Sequence, residues 1–171
     1  RTDQIWSELR GLLDKFQQRS ERTSIPSSGL TERDAILITY GDSLQIPGQP
    51  SLRTLKEFLN TYLSEAVSGI HILPFYPYSS DDGFSVIDFR QVNPALGSWE
   101  DVAALGEHHR LMFDAVINHI SRQSDWFQAY MHDEAPYRNY FLTPRDDWDL
   151  SNVVRPRTLP LLTEVETSSG K

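Results

Sequence analysis

Apolar positions recur along the chain in two registers, and the change from one to the other marks the elements. Ile5, Trp6, Leu9, Leu12, Leu13 and Phe16 return at helical spacing, which predicts an amphipathic helix over about residues 4–19. Arg19 to Ser28 is polar, contains Pro26 and reads as a linker. Ala35-Ile36-Leu37-Ile38-Thr39-Tyr40 is a nearly continuous β-branched apolar run closed by Gly41-Asp42, the pattern of a strand buried on both faces. A loop runs from Gln45 to Pro50. Ser51 is then placed to cap a helix that sets Leu52, Leu55, Phe58, Leu59, Tyr62, Leu63, Ala66 and Val67 on one side and stops near Gly69. A second strand, Ile70-His71-Ile72-Leu73, is ended by Pro74. Ser98 precedes a helix from Trp99 to Leu105, a third strand is expected from Leu111 to Ile117, and a helix from Asp125 to Met131.

The order strand, helix, strand, helix, strand, at about 30–40 residues per step, predicts successive βαβ units with parallel strands. Such strands need cover on both faces, and a doubly wound sheet and a β/α barrel both satisfy that. No glycine-rich phosphate loop follows the first strand, which counts against a nucleotide fold. The chain shows no repeat beyond the βαβ unit and no low-complexity tract.

Composition narrows the function. Across 171 residues the apolar share is 39% and the charged share 23%, the balance of a globular protein. A formal net charge of -8 argues against a nucleic-acid surface, which needs a basic face. The basic residues are scattered rather than clustered, and no apolar run approaches the roughly 20 residues needed to span a bilayer. No nucleic-acid or membrane partner is therefore expected. Cysteine is absent, which removes disulfides and thiolate-bound metals and is compatible with the expected cytoplasmic location. The chain opens on Arg1 and closes on the polar string Ser168-Ser169-Gly170-Lys171, so we expect a piece of a longer protein.

In α/β folds, ligands bind beyond the carboxyl ends of the strands. That rule selects Tyr40-Gly41-Asp42, the stretch from Pro74 to Phe84, and Asn118-His119. The second stretch is aromatic, acidic and stiffened by prolines, and suits a sugar, whose C–H faces pack on rings while its hydroxyls seek carboxylates. Adjacent aspartates before Gly83 are equally the mark of a surface turn. His119 can be a ligand-binding group or a satisfied structural one. Asp114 lies within an apolar strand on this reading, so it needs a cationic or backbone partner and a structural role is expected. His71, His108, His109, His119 and His132 show no metal-ligand spacing, and no metal is expected.

Here the motifs become specific. Phe113-Asp114-Ala115-Val116-Ile117-Asn118-His119 resembles the first signature of the α-amylase family, an Asp followed by Asn-His at the end of the third barrel strand. Asp81-Asp82-Gly83-Phe84-Ser85-Val86-Ile87-Asp88, with Val92-Asn93-Pro94-Ala95-Leu96-Gly97-Ser98-Trp99-Glu100-Asp101, resembles that family's stretch between strand two and helix two. Leu37-Ile38-Thr39-Tyr40-Gly41-Asp42, Gly69-Ile70-His71-Ile72-Leu73-Pro74-Phe75 and Arg155-Pro156-Arg157 look like the sucrose-phosphorylase branch, and the similarity runs from Ile36 to Leu162.

The resemblance implies the first three or so βα units of a (β/α)8 TIM barrel, over residues 29–133, after an N-terminal helix and linker over 1–28 and before the start of an inserted domain B over 134–171. It implies that Asp81 and His119 hydrogen-bond the glucosyl unit, that Phe84 is an aromatic platform beside it, and that Arg157 serves phosphate or acceptor. Asp114 and Asn118 match structural positions; the second binds calcium in many amylases but not generally in this branch. The implied activity is retaining glucosyl transfer to phosphate from sucrose, sucrose 6′-phosphate, glucosylglycerate or glucosylglycerol, with no cofactor. Sugar and inorganic phosphate would be the small-molecule partners, and the remaining part of the same chain a further one. The family's nucleophilic Asp, acid/base Glu and supporting Asp have no matching motif here, so the chain alone is expected to be inactive. An α-glucoside hydrolase or transglucosidase, and a non-catalytic sugar-binding piece, are the alternatives.

Overall fold

In the computed structural model, residues 2–20, 30–145, 147–154, 160–168 and 170 are described. The chain divides into two compact units, Arg1–Arg33 and Asp34–Lys171. The first holds helix α1, Thr2–Ser20, in which the Gln4 side-chain amide donates to Glu8 Oε1 at 2.9 Å, one helical turn away. Its apolar residues form the expected stripe, and that stripe is exposed.

The second unit contains strand β1 (Ile36–Thr39), helix α2 (Ser51–Phe58), β2 (Gly69–Ile72), α3 (Trp99–Leu105), β3 (Arg110–Phe113) and α4 (Asp125–Met131). The three strands are parallel and lie in sequence order, β1-β2-β3. This parallel α/β arrangement is the one the periodicity predicts, and it is the opening of the β/α barrel that the resemblance implies. Leu37, Ile70, Ile72 and Leu111 face the helix side and pack with Leu52, Leu55, Leu59, Val102 and Leu105. Ser98 takes the N-cap position of α3, and the Asp101 carboxylate accepts from its backbone N–H at 3.0 Å and from its hydroxyl at 3.2 Å.

Four expectations need correction. The strands are covered on one face, not two: Ile36, Ile38 and Met112 on the opposite face are 52%, 62% and 50% exposed, because among the described residues of this unit the helices pack on the other face. Ser51 does not cap α2. It is the first helical residue, and the Leu96 carbonyl instead takes the free N–H of Leu52 at 3.0 Å, satisfying one of the helix's orphan donors from a distant loop. Beyond Phe58 the helix widens into a π turn over Leu59–Leu63, which keeps Leu59 and Leu63 on the core and leaves Tyr62 71% exposed. β3 ends at Phe113 rather than Ile117. β2 ends just ahead of Pro74, which has no N–H to extend a ladder, so the chain beyond Phe113 has no strand to pair with on that side. Asp114 therefore sits past the strand, not within it.

Candidate functional site

The site grows from the loop that leaves β2. Phe75 is 1% exposed and lies edge-on to Trp99 and Phe113, with ring centroids 5.7 and 5.2 Å away. Its neighbour Tyr76 stacks on it at 4.6 Å, and burial, helped by the Asp114 charge, pushes the Tyr76 phenol above its ordinary value, so it stays protonated. From there the chain doubles back on itself. Tyr78 bridges Val86, Ile87 N–H donates to the Pro77 carbonyl at 2.7 Å, and Ser79 N–H donates to the Ser85 carbonyl at 3.0 Å. Asp81, Asp82 and Gly83 form the apex with φ of 61°, 49° and 103°. Aspartate tolerates that left-handed region better than most residues, but the third position demands glycine. A Cβ on Gly83 would stand 2.7 Å from the Pro74 carbonyl oxygen, so the apex is pressed against the end of β2.

The loop leaving β3 is stitched to this one. Ser121 N–H donates to the Val86 carbonyl at 2.8 Å, and the buried Ser121 hydroxyl meets Ser79 Oγ at 2.7 Å. His119 Nε2 lies 2.9 Å from the Phe84 carbonyl. A carbonyl can only accept, so Nε2 carries the proton and Nδ1 of the neutral ring is left as an acceptor. The Phe84 N–H in turn donates to the Asp81 carbonyl at 2.9 Å. Three of the expected sugar-binding residues, Asp81, Phe84 and His119, are thus joined through the backbone N–H and C=O of Phe84 at the carboxyl end of the sheet.

Asp114 belongs to a separate pair. Its Oδ2 lies 3.0 Å from Nε2 of His71, in the middle of β2, and both side chains are largely buried. The need for a partner was legible in the sequence; the identity of the partner was not. Strand alternation could have supplied it, since Ile70 and Ile72 face the helices and His71 must face the other way, toward the continuation of β3. Ser79 and Ser121 were also missed, and nothing in a lone serine signals such a link.

Asp114, Asn118 and His119 line an open concavity of about 1640 Å³, shared with Tyr76, Phe89 and Trp126. Asp81 and Phe84 lie outside that lining. Asp82 borders a smaller hollow of about 290 Å³ with Tyr40, Asp42 and Tyr78 at the ends of β1 and β2. The expected site residues therefore surround the strand ends rather than fill one cavity. Arg157 lies outside the described residues. No three metal-ligating side chains gather among the described residues. The arrangement offers exposed carboxylates, aromatic faces and a tautomer-fixed imidazole, the groups that grip a polyhydroxylated ring.

Comparison with known proteins carries the chemistry into a family. Residues 56–160 match the model of the alpha amylase catalytic domain, and the chain belongs to the α-amylase family. Among curated proteins, it is 50% identical over 143 residues to a glucosylglycerate phosphorylase of Allomeiothermus silvanus, covering 84% of this chain and 26% of that protein. It is 45% identical over 116 residues to a sucrose phosphorylase of Streptococcus mutans, covering 67% of this chain and 22% of that one. Among solved structures, a sucrose 6F-phosphate phosphorylase from Thermoanaerobacter thermosaccharolyticum superposes with a TM-score of 0.57 at 34% identity, over 69% of this chain and 23% of that one. The chain thus spans about a quarter of the length of the relatives it matches.

Proposed function

We propose that the protein carrying this chain is a retaining phosphorylase that moves a glucosyl unit from an α-glucoside to inorganic phosphate, with glucosylglycerate as the preferred donor. The observation that carries the reading is the joining of Asp81, Phe84 and His119 through the backbone N–H and C=O of Phe84 at the strand ends. The higher identity and wider coverage of the glucosylglycerate phosphorylase favour that donor over sucrose. In this reading the glycosidic bond breaks as its oxygen takes a proton, and a carboxylate from elsewhere in the protein bonds to the anomeric carbon. A phosphate oxygen then displaces that carboxylate and releases glucose 1-phosphate with its configuration retained. Asp81 and His119 grip the glucosyl hydroxyls, Phe84 packs beside the ring, and Arg157 holds phosphate through its forked guanidinium. Residues 134–171 are the start of an inserted second domain. Asp114 acts indirectly, anchoring the β3 exit to β2 through His71.

The experiment is a product analysis of the full-length protein with glucosylglycerate or sucrose at rising phosphate. Glucose 1-phosphate should dominate with glucosylglycerate. Asp81→Ala should lower kcat/KM about tenfold to a hundredfold, since a hydrogen bond to a charged group is worth about 1.5–3 kcal/mol. His119→Ala removes a neutral acceptor worth about 0.5–1.5 kcal/mol and should lower it about twofold to tenfold. Arg157→Ala should shift the product toward free glucose. Free glucose as the wild-type product at every phosphate concentration would replace the phosphorylase reading with a hydrolase.

A further inference from the structure

The first unit has no part in the chemistry above, yet α1 carries six large apolar residues between 45% and 71% exposed: Ile5, Trp6, Leu9, Leu12, Leu13 and Phe16. Four of them, Ile5, Leu9, Leu12 and Phe16, follow one another at steps of four, three and four. That alternation is the d-a-d-a seam of a coiled coil. Placing Ile5 and Leu12 at d and Leu9 and Phe16 at a sets Trp6 and Leu13 at e, along one edge of the seam. Glu8 and Lys15 then fall at g, along the other edge.

The two edges decide the partner and its direction. A parallel copy would set g against e, bringing Glu8 against the apolar Leu13. An antiparallel copy sets g against g and e against e. Glu8 of each helix then meets Lys15 of the other, twice by symmetry, and Trp6 meets Leu13, also twice. In the seam Ile5 packs on Phe16 and Leu9 on Leu12. All of these contacts lie between the same two layers, so one two-fold axis, crossing the helix midway between Arg10 and Gly11, generates the whole set.

We propose that α1 is a self-association element that pairs antiparallel with α1 of a second copy of the same protein. A membrane surface is the other common use of an exposed amphipathic helix, but it draws on a basic polar face. Here the polar face mixes Asp3, Glu8 and Asp14 with Arg10 and Lys15. The proposal does not depend on the substrate.

The test uses the full-length protein in sedimentation equilibrium across a dilution series, alongside Leu9→Asp/Leu12→Asp, Lys15→Glu, and the exchange Glu8→Lys/Lys15→Glu. Wild type should be a concentration-dependent dimer, and the double Asp variant a monomer with unchanged activity. Lys15→Glu sets carboxylate against carboxylate at two places and should raise the dissociation constant about tenfold, and the exchange should restore it. A wild type that is monomeric throughout would overturn the proposal, as would a dimer that survives Leu9→Asp/Leu12→Asp. Failure of the charge exchange to rescue would overturn the antiparallel arrangement. A monomer that co-sediments with anionic phospholipid vesicles would assign the stripe to a membrane instead.

Discussion

His109 shows how one side chain can tie stability to pH. It lies 6% exposed at the turn into β3, with neither ring nitrogen hydrogen-bonded to protein. Burial, with the neighbouring His108 adding to it, pushes its imidazole below the ordinary value, so the folded protein keeps it neutral. Above the unfolded value of about 6.5, both states hold a neutral ring and the residue makes no pH-dependent contribution. As pH falls below that value the unfolded chain takes a proton that the folded one refuses, and folding stability drops. For the full-length protein, the denaturant midpoint should therefore decline between pH 7 and the folded-state value. The slope from this group is at most about 1.4 kcal/mol per pH unit. His109→Leu should remove that part of the slope while the carboxylates' share persists. A variant whose pH profile superposes on wild type would show that His109 charges freely in the fold. Nothing in the sequence distinguished this histidine from the adjacent His108, because the difference is burial and not spacing.

Among the elements, the strands and helices were legible and the stitches between loops were not. Leu37, Ile70, Ile72 and Leu111 announced their strands by short apolar runs, and the helical spacing of Leu52, Leu55 and Leu59 announced the face that covers them. Such patterns follow from burial, which sequence records residue by residue. The Ser79–Ser121 contact and the His71–Asp114 pair join residues 42 and 43 positions apart, and their partners become visible only once the parallel register is known. The end of β3 was missed for a related reason, since it depends on Pro74, just beyond the end of β2. The apex between Tyr78 and Val86 is where local and long-range demands meet. Asp81 and Asp82 adopt positive φ unaided, whereas Gly83 combines φ of 103° with contact to the Pro74 carbonyl. Gly83→Ala should accordingly destabilise the full-length protein by about 1–3 kcal/mol and displace Asp81 and Phe84 together. Thermal unfolding and glucosyl-donor KM would be read side by side. A substitution that left both unchanged would mean that the apex can move off β2 without loss of the site.

At the scale of the whole molecule, the sheet exposes what a folded enzyme hides. Ile38, His71 and Met112 stand in register across the three strands, on the face opposite the helices, and Ile38 and Met112 are 62% and 50% exposed. Ile117, just beyond β3, is 91% exposed. Among the described residues β1 and β3 each have one neighbour, so both outer edges offer unpaired backbone groups. An apolar face beside an open edge invites pairing with other chains, and the relatives this chain matches are about three times its length. The isolated 171-residue chain should therefore self-associate and turn over neither glucosylglycerate nor sucrose, while the full-length protein, on the function proposed above, should release glucose 1-phosphate without forming large species. Because α1 would add its own association, the comparison should include a version beginning at Asp34, where the second unit starts. Light scattering on that shortened chain should still report large species, and replacing Ile38 and Met112 by Lys should reduce them by charging the bare face. A shortened chain that stayed monomeric at all concentrations would show that this sheet is stable uncovered. Glucose 1-phosphate released by the 171-residue chain alone would show that the catalytic carboxylates lie within it, and the division of labour proposed above would have to be redrawn around its own aspartates.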